Sequence, residues 1–236
     1  MGTERPVMVV TGTSKGIGHG IVEYYLGRGY LVFGCSRTAS TIDAVGYCHT
    51  QLDVADEIAV RGWIRSVKNA AKKIDVLVCN AGTAPANLLL TMTSGSVLDE
   101  VLRTNVSGSF YVCREVSKVM MARKQGRIIT TSSMAVGLHE EGTSAYSASK
   151  SAIVEMTKIL AKELAPMGIT CNVIAPSMIM TDAVEGLGEE IIRRALDKLT
   201  IKRPLSVEEV CNIITFFCAP ASGCITGQVI HMGLVC

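Results

Sequence analysis

The sequence predicts an α/β fold in which a mostly parallel sheet of about seven strands carries helices on both faces, the doubly wound arrangement. Short runs rich in Val and Ile alternate along the chain with longer stretches of helical spacing. These runs are continuously apolar, which is typical of parallel strands buried on both faces. Because no repeat, low-complexity tract or linker interrupts the pattern, residues 1–236 are predicted to form a single domain.

Six apolar runs bounded by Gly, Asn or Ser are the predicted strands. They are "PVMVVTG" at 6–12, "YLVFGCS" at 30–36, "DVLVCNAG" at 75–82, "GRIITTSS" at 126–133, "GITCNVIAP" at 168–176 and "GQVIHM" at 227–232. Apolar residues at helical spacing predict the helices, which are 17–28, 55–72, 95–124, 145–165 and 206–218. Between the second strand and "YCHTQLD", residues 37–46 leave room for little more than one helical turn.

Composition and charge argue against several classes of partner. The formal net charge is only +2 and the basic residues are dispersed, so we expect no nucleic-acid binding. No apolar run reaches the roughly 18 residues of a membrane helix, and the N-terminus lacks the pattern of a signal peptide. We therefore expect no membrane association and a cytoplasmic location. Cys211, Cys218 and Cys224 are too widely spaced for a typical zinc pair, and the histidines are scattered, so no metal site is expected.

A glycine-rich stretch, "TGTSKGIG" at 11–18, follows the first predicted strand and opens the first helix. In a Rossmann fold this junction binds the pyrophosphate of a dinucleotide. Gly12, Gly16 and Gly18 would allow the tight turn, the close approach of phosphate and the close packing of the helix. Taken alone, the pattern is equally compatible with a glycine-rich turn that binds no ligand.

Tyr146 and Lys150 stand four positions apart in "SAYSASK" at 144–150, among small side chains. Positions i and i+4 share one helix face, so the Lys150 ammonium is expected close to the phenol. A nearby positive charge favours phenolate and is predicted to lower the pKa of Tyr146 from about 10 toward neutrality. Tyr146 is then a candidate general acid. The alternative is an ordinary Tyr–Lys pair on a helix surface.

Further motifs accompany these two along the whole chain. They are "LDV" at 52–54, "NAG" at 80–82, Asn105 and Ser133, the last of which precedes Tyr146 by thirteen residues. Together with the glycine loop and "YSASK", they resemble the short-chain dehydrogenase/reductase family, and within it most closely the β-ketoacyl carrier protein reductases. Each motif falls at the strand end or helix where the family carries it.

The resemblance implies a role for each motif residue. Tyr146 would protonate a substrate carbonyl that Ser133 holds, Lys150 would grip the nicotinamide ribose, and Asn105 would open a water path to the lysine. Without the family resemblance, Asn105 would be interpreted as a helix residue whose side chain hydrogen-bonds to the nearby backbone. The implied cofactor-binding set is Gly12, Ser14, Lys15, Gly16, Ile17, Gly18, Arg37, Asp53, Val54, Asn80, Ala81, Gly82, Tyr146, Lys150, Pro176, Ile179 and Thr181.

The end of the second predicted strand indicates which nicotinamide cofactor is used. Ser36 stands where NAD-preferring proteins place an acid for the ribose hydroxyls, and Arg37 follows it. An acid would repel a 2′-phosphate, whereas arginine binds one, and Lys15 adds a second positive charge. We therefore predict NADPH in preference to NADH. The alternative is that Arg37 is a solvated surface residue that binds no phosphate.

The predicted substrate is a ketone, most specifically a 3-oxoacyl thioester such as one linked to an acyl carrier protein. The pocket candidates are Met134, Val136, His139, Met178 and Met180. Basic residues before the "GRI" strand, Arg123, Lys124 and Arg127, are half of the patch expected for an acidic carrier; Met167 stands where the other half is expected. They are also consistent with cations that favour a helix C-terminus. The remaining alternatives are reduction of a small free ketone, oxidation of a secondary alcohol, turnover of a natural-product intermediate, and a non-catalytic nucleotide-binding regulator.

Three stretches depart from the family pattern. The segment after Arg37 is shortened, which leaves fewer residues to enclose the adenosine end. Ser177 in "PSMIMT" occupies a position where most relatives have glycine, so the bend after that strand is expected to differ. The C-terminal "GQVIHMGLVC" lacks the usual acidic or amide residue followed by paired glycines, in a region that often joins subunits in the family. A homo-oligomer, either a dimer or a tetramer, remains the expectation.

Overall fold

Seven parallel strands form one open sheet in the computed structural model, which describes residues 5–181, 184 and 188–235. The strands are β1 (Val7–Thr11), β2 (Leu31–Ser36), β3 (Tyr47–Gln51), β4 (Val76–Cys79), β5 (Gly126–Thr131), β6 (Ile169–Pro176) and β7 (Val229–Met232). Their order across the sheet is β3-β2-β1-β4-β5-β6-β7, and all neighbours are parallel. The predicted doubly wound fold class is confirmed. The predicted domain limits, 1 and 236, lie outside the described residues.

Helices cover both faces of this sheet. They are α1 (Gly16–Leu26), α2 (Glu57–Ala71), α3 (Gly95–Val101), α4 (Ser109–Met121), α5 (Ala135–Leu138), α6 (Ser144–Leu164), α7 (Glu189–Asp197) and α8 (Val207–Cys218). A π-helical segment, Leu102–Gly108, joins α3 to α4, so the helix predicted over 95–124 is continuous but changes its hydrogen-bond pattern midway. Short 3-10 turns occur at Leu90–Met92, Ala165–Met167 and Pro220–Cys224.

Besides the single-turn helix α5, two longer elements were not among the predicted runs. Strand β3 lies at the edge of the sheet, where its residues are exposed or half-buried, and it therefore lacks a continuous apolar run. Helix α7 has no buried residues and is only nine residues long, so it gave no long run of apolar residues at helical spacing. Its helical signals are electrostatic, since Glu189 and Glu190 occupy the first turn and Arg194 the last, where such charges favour the helix dipole.

Each face of the sheet has its own apolar core. Trp63 of α2, Val116 of α4 and Leu164 of α6 are buried against one face. Tyr25 of α1 and Phe217 of α8 are buried against the other. Because full burial of such a side chain stabilises by about 1.5–3 kcal/mol, the two cores fix the helices relative to the strands.

The strand order reverses between β1 and β4, because β2 lies on one side of β1 and β4 on the other. In open α/β sheets, ligands bind at the carboxyl ends of the strands beside such a switch point. The predicted motifs at 11–18 and 80–82 follow these two strands and therefore lie at this edge. None of the helices in the described part of the chain is long and apolar enough to cross a membrane.

Candidate active site

The glycine loop turns the chain from β1 into α1. Gly12 and Gly16 have φ angles of 76° and 59°, in the left-handed region that favours glycine. A Cβ on Gly18 would lie 2.1 Å from the Gly12 carbonyl oxygen, so only glycine allows the helix to pack this closely on the loop. Lys15, which precedes α1, makes no side-chain capping bond, and the first turn contains no acidic residue. The amides of this turn therefore fit a phosphate group.

The side chain of Thr11, which the sequence analysis did not select, joins the glycine loop to the "NAG" motif. Its Oγ1 accepts hydrogen bonds from the backbone nitrogens of Asn80 (3.0 Å) and Ala81 (2.9 Å). The amide of Asn80 donates back to the Thr11 carbonyl over 3.1 Å. A Cβ on Gly12 would lie only 2.9 Å from the Ala81 Cα. The ends of β1 and β4 thus form one continuous floor at the switch point.

Ser133 and Tyr146 are brought together by β5 and α6. Ser133 follows the carboxyl end of β5, and Tyr146 lies in the first turn of α6. Burial raises the pKa of Tyr146 above its usual value, and a hydrogen bond with the Ser133 hydroxyl partly opposes this effect. The phenol therefore keeps its proton at neutral pH in this structure, the state that a general acid requires.

The Lys150 ammonium is buried, with 5% of the residue exposed. It donates a hydrogen bond of 2.8 Å to the Thr131 carbonyl, and its Nζ lies 5.7 Å from the centroid of the Tyr146 ring. Burial lowers the pKa of Lys150 to about 8, and the nearby Cys79 thiol partly opposes that shift. The lysine is thus held at the floor of the site beside the tyrosine, as predicted from their spacing.

The predicted lowering of the Tyr146 pKa by Lys150 is not what this structure gives. The prediction assumed that a charge one helical turn away would dominate. Instead, desolvation of the phenol is the largest influence on its pKa, and the ammonium is directed toward the Thr131 carbonyl. Burial is a property of the tertiary fold, so the spacing of two residues could not reveal it.

Asn105 lies in the π segment, which is a frequent feature of functional sites in helices. Its side chain is buried and donates to the Thr83 carbonyl (3.0 Å) and to Ser149 Oγ (2.9 Å), and its Oδ1 accepts from the Thr83 nitrogen over 2.7 Å. These partners lie in other elements, so the local backbone bonding considered from sequence is not the role of this side chain. Asn105 fixes the loop after β4 against α6.

Gly82 leaves an opening where this loop meets the lysine. A Cβ at this position would lie 3.2 Å from Asn105 Oδ1 and 3.4 Å from Lys150 Nζ. The predicted "NAG", asparagine and lysine residues therefore converge on one point of the sheet edge. The partners Thr83, Thr131 and Ser149 were missed by sequence reasoning, because no local pattern marks a residue that contributes a carbonyl or a supporting hydroxyl.

The segment after β6 passes beside the glycine loop. Pro176 ends β6, Ile179 is buried in a bridge with Leu205, and the Thr181 methyl group would be 3.6 Å from a Cβ on Gly16. Ser177, where the family usually has glycine, is buried with its Oγ 2.5 Å from the position of a Cβ on Gly233. The absence of a side chain at Gly233 therefore accommodates the serine.

The adenosine end of the predicted site carries the remaining residues. Arg37 is exposed just beyond the end of β2, and Lys15 is exposed in the glycine loop. Asp53 accepts a hydrogen bond from the Ala55 nitrogen (3.0 Å) and pairs with Arg103, and Val54 is buried. The structure places the other predicted loop residues, Ser14 and Ile17, half-buried at the start of α1.

A cavity of about 180 Å³ opens beside Ser133 and Tyr146. Its other walls are Ala84, Pro85, Ala86, Asn87, Leu88, Thr93, Val97, Met134, Ala135, Glu140, Gly142, Thr143 and Ala145. Glu140 also forms an ion pair with Lys198, which follows α7. The lining is mostly small or apolar, and Tyr146 forms part of one wall.

Of the predicted pocket residues, only Met134 lines this cavity. Val136 lies in the short helix α5 outside the lining, and exposed His139 turns back to the Gly137 carbonyl at 3.0 Å from its Nδ1. Met178 and Met180 lie outside the lining because their backbones pair with Leu205. The other walls come from the segment between β5 and α6, from α3 and from the loop after β4. In that loop "APANLLLTM" at 84–92 offered an apolar signal that the sequence analysis did not use.

The uncapped helix start, the glycine loop at the switch point and the Ser–Tyr–Lys group define a dinucleotide-dependent oxidoreductase. A family model described as enoyl-(acyl carrier protein) reductase matches residues 12–233. The chain belongs to the short-chain dehydrogenase/reductase family, and it acts as a nicotinamide-dependent oxidoreductase on carbonyl or hydroxyl groups.

Individual relatives match nearly the whole chain. The 3-oxoacyl-[acyl-carrier-protein] reductase FabG of Aquifex aeolicus (strain VF5) is 33% identical, over 96% of this chain and 95% of that protein. FabG of Escherichia coli (strain K12) is 30% identical, over 98% and 97% respectively. The solved structure of ElxO with NADP bound has a TM-score of 0.90 and 26% identity, and it covers 97% of both chains.

Proposed function

We propose that this protein is an NADPH-dependent ketoreductase whose substrate is a 3-oxoacyl thioester. The observation that carries the proposal is the Tyr146 phenol, protonated at neutral pH and directed with Ser133 toward a mostly apolar cavity. The cofactor, when bound, supplies the hydride. A phenol that holds its proton favours reduction over oxidation, because the alkoxide formed from the ketone needs a proton donor.

Each of the four motif side chains then has a distinct task. The Ser133 hydroxyl donates a hydrogen bond to the substrate carbonyl and orients it. Tyr146 transfers its proton to the developing alkoxide. Lys150, fixed by the Thr131 carbonyl, binds the nicotinamide ribose and stabilises the phenolate that remains. Asn105 fixes the loop after β4, which forms one wall of the cavity.

The size of the cavity supports a thioester with a short acyl group. Its volume is about 180 Å³. Longer acyl chains would extend over Leu88, Leu89 and Leu90, which are exposed at the cavity mouth or beside it. The FabG relatives, named for 3-oxoacyl carrier substrates, point to the same class.

The cationic residues expected to dock a carrier lie away from this cavity. Arg123, Lys124 and Arg127 are at the amino end of β5, whereas Ser133 follows its carboxyl end. Six residues of extended chain separate Arg127 from Ser133 by about 20 Å. A carrier bound to these residues would therefore not face the cavity of the same chain.

A substrate panel tests the proposal. We expect acetoacetyl thioesters, either carrier-linked or on a short pantetheine, to be reduced with kcat/KM at least about tenfold above unconjugated ketones and free acetoacetate, since a remote binding group contributes transition-state stabilisation. Charge reversal of Lys124 and Arg127 is expected to leave the short thioester unaffected, and a loss confined to the carrier-linked substrate would identify a docking surface. Faster reduction of free ketones would contradict the thioester assignment and favour the small-ketone alternative.

The preference for NADPH is a second, separable part of the proposal. Arg37 is exposed at the end of β2 and, within the described residues, its guanidinium forms no ion pair that would occupy it. A charged hydrogen bond to phosphate contributes about 1.5–3 kcal/mol, so Arg37→Ala is expected to weaken NADPH binding by about ten- to a hundredfold and to leave NADH binding nearly unchanged.

Titration of both cofactors checks this expectation. Arg65→Ala, which removes an exposed arginine from the outer side of α2, is the matched control and should change neither affinity. An equal loss for both cofactors in Arg37→Ala would show that this side chain does not read the phosphate. The homo-oligomeric state and the cytoplasmic location remain predictions from the sequence.

A further inference from the structure

Side chains of the edge strand β3 hold the backbone of the segment that carries Arg37. His49 and Gln51 are two positions apart in β3, so their side chains lie on the same face of the strand. The His49 Nε2 lies 3.0 Å from the Thr38 carbonyl oxygen, and the Gln51 amide donates to the Arg37 carbonyl over 2.8 Å. Two consecutive carbonyls beyond β2 are thus bonded to side chains of β3.

The partners of His49 fix its tautomer. A carbonyl oxygen can only accept a hydrogen bond, so the contact with Thr38 places a proton on Nε2. In the neutral ring Nδ1 is then an acceptor, and the Tyr47 hydroxyl lies 3.0 Å from it. The same hydroxyl donates to Thr13 Oγ1 in the glycine loop over 2.9 Å. The Thr13 oxygen also lies 3.4 Å from His49 Nδ1, so a hydrogen-bonded chain runs from Tyr47 through Thr13 and His49 to Thr38.

Ser36, where NAD-preferring proteins place an acid, belongs to the same cluster. Its hydroxyl donates to the Thr38 carbonyl over 2.8 Å and lies 3.3 Å from His49 Nε2. The absence of a side chain at Gly34 makes room for the cluster, because a Cβ there would lie 2.4 Å from the Tyr47 hydroxyl. The serine, the histidine and the tyrosine fit together as one packed group beneath the start of the segment.

This support matters because residues 37–46 form no helix or strand of their own. Arg37, Thr38 and Ala39 are exposed, so apolar packing does little to hold them. Their placement depends on the bonds from Ser36, His49 and Gln51. A charged hydrogen bond to phosphate requires the guanidinium to be held within reach, and a loose segment would pay conformational entropy to place it.

We propose that His49 is a positioning residue for cofactor selectivity: by holding Thr38 and Ser36 it places Arg37 to bind the 2′-phosphate of NADPH. The inference rests on the proposed NADPH preference. His49 acts through the backbone of the neighbouring segment, so its loss should affect the cofactor that carries the phosphate and spare the one that lacks it.

Two substitutions of His49 distinguish a role in positioning Arg37 from a role in folding alone. The amide nitrogen of glutamine reaches about as far as imidazole Nε2 and can donate to Thr38, whereas that of asparagine reaches only about as far as Nδ1. His49→Asn is expected to lower the NADPH-over-NADH affinity ratio by about three- to tenfold, the effect of losing one hydrogen bond. His49→Gln is expected to retain most of the ratio. Cys48→Ala, on the opposite and exposed side of β3, should match the wild type.

Dissociation constants for NADPH and NADH, measured by titration of each purified variant, decide the matter. Unchanged NADH affinity in His49→Asn serves as the internal control for folding. Equal weakening of both cofactors, an unchanged ratio, or identical behaviour of the Asn and Gln variants would overturn the inference. Measurement of Arg37→Ala in parallel separates the two proposals: if it loses NADPH preference and His49→Asn does not, only the role of His49 fails. A wild type without NADPH preference would overturn both.

Discussion

Replacement of Tyr146 by phenylalanine is expected to lower the rate of carbonyl reduction by about 10²- to 10⁴-fold, the usual contribution of a positioned general acid. The substitution keeps the ring and removes only the hydroxyl. Because Lys150 is the residue proposed to bind the nicotinamide ribose, the dissociation constant of NADPH is expected to stay within about twofold of the wild type. Steady-state rates with an acetoacetyl thioester, together with cofactor titration, measure the two effects separately.

Tyr111→Phe is the matched control for this experiment. It removes a phenol from α4, where the ring packs against a core, and it should leave both the rate and the cofactor affinity unchanged. Turnover retained in Tyr146→Phe would remove this hydroxyl from the mechanism. A parallel loss of NADPH binding would instead show that the tyrosine serves mainly to shape the cofactor site.

Substitution of Lys150 by alanine is expected to damage binding and chemistry together. The ammonium is buried, hydrogen-bonded to the Thr131 carbonyl and adjacent to the Tyr146 ring, so the proposal gives it both the ribose and the phenolate. Loss of a charged hydrogen bond predicts NADPH affinity lower by about ten- to a hundredfold, and the rate at saturating cofactor should fall further. Cofactor titration and saturation kinetics measure the two losses.

Lys158→Ala provides a control from the same helix, where an exposed lysine pairs only with the nearby Glu155 among the described residues. It should leave both measurements unchanged. Because Lys150→Ala leaves the Thr131 carbonyl without its partner, urea unfolding of each variant accompanies the kinetics. A folded Lys150→Ala protein with a reduced rate but wild-type NADPH affinity would contradict the dual role.

The positions of the proposed catalytic residues could be predicted from sequence because these residues lie in regular elements or directly after them. Gly12 and Ser133 follow buried strands, and Tyr146 and Lys150 share a helix face, so each position follows from the strand and helix pattern. The strands themselves were evident because burial on both faces requires continuous apolar runs. The edge strand β3 and the exposed helix α7 lack such runs, and they were missed for that reason.

The cavity walls and the protonation of Tyr146 depend instead on tertiary contacts. Leu88 reaches the cavity because its backbone nitrogen donates to the Gly142 carbonyl over 3.1 Å, which draws the loop after β4 across the site. The desolvation that raises the pKa of Tyr146 likewise comes from the surrounding fold. His49 of β3 contacts Thr38, which lies just beyond the end of the neighbouring strand β2. No local sequence motif indicates this contact.

Transfer of deuterium tests the central claim, that this site reduces a carbonyl with Tyr146 as the acid. NADPH labelled at the nicotinamide C4 position that donates hydride is incubated with the protein and an acetoacetyl thioester, and the product is examined by mass spectrometry. The account predicts one deuterium at the carbinol carbon for each cofactor oxidised, with the signal lost in Tyr146→Phe. Tight NADPH binding by the wild type without deuterium transfer to any thioester or ketone tested would contradict it, and would leave the protein a nucleotide-binding one.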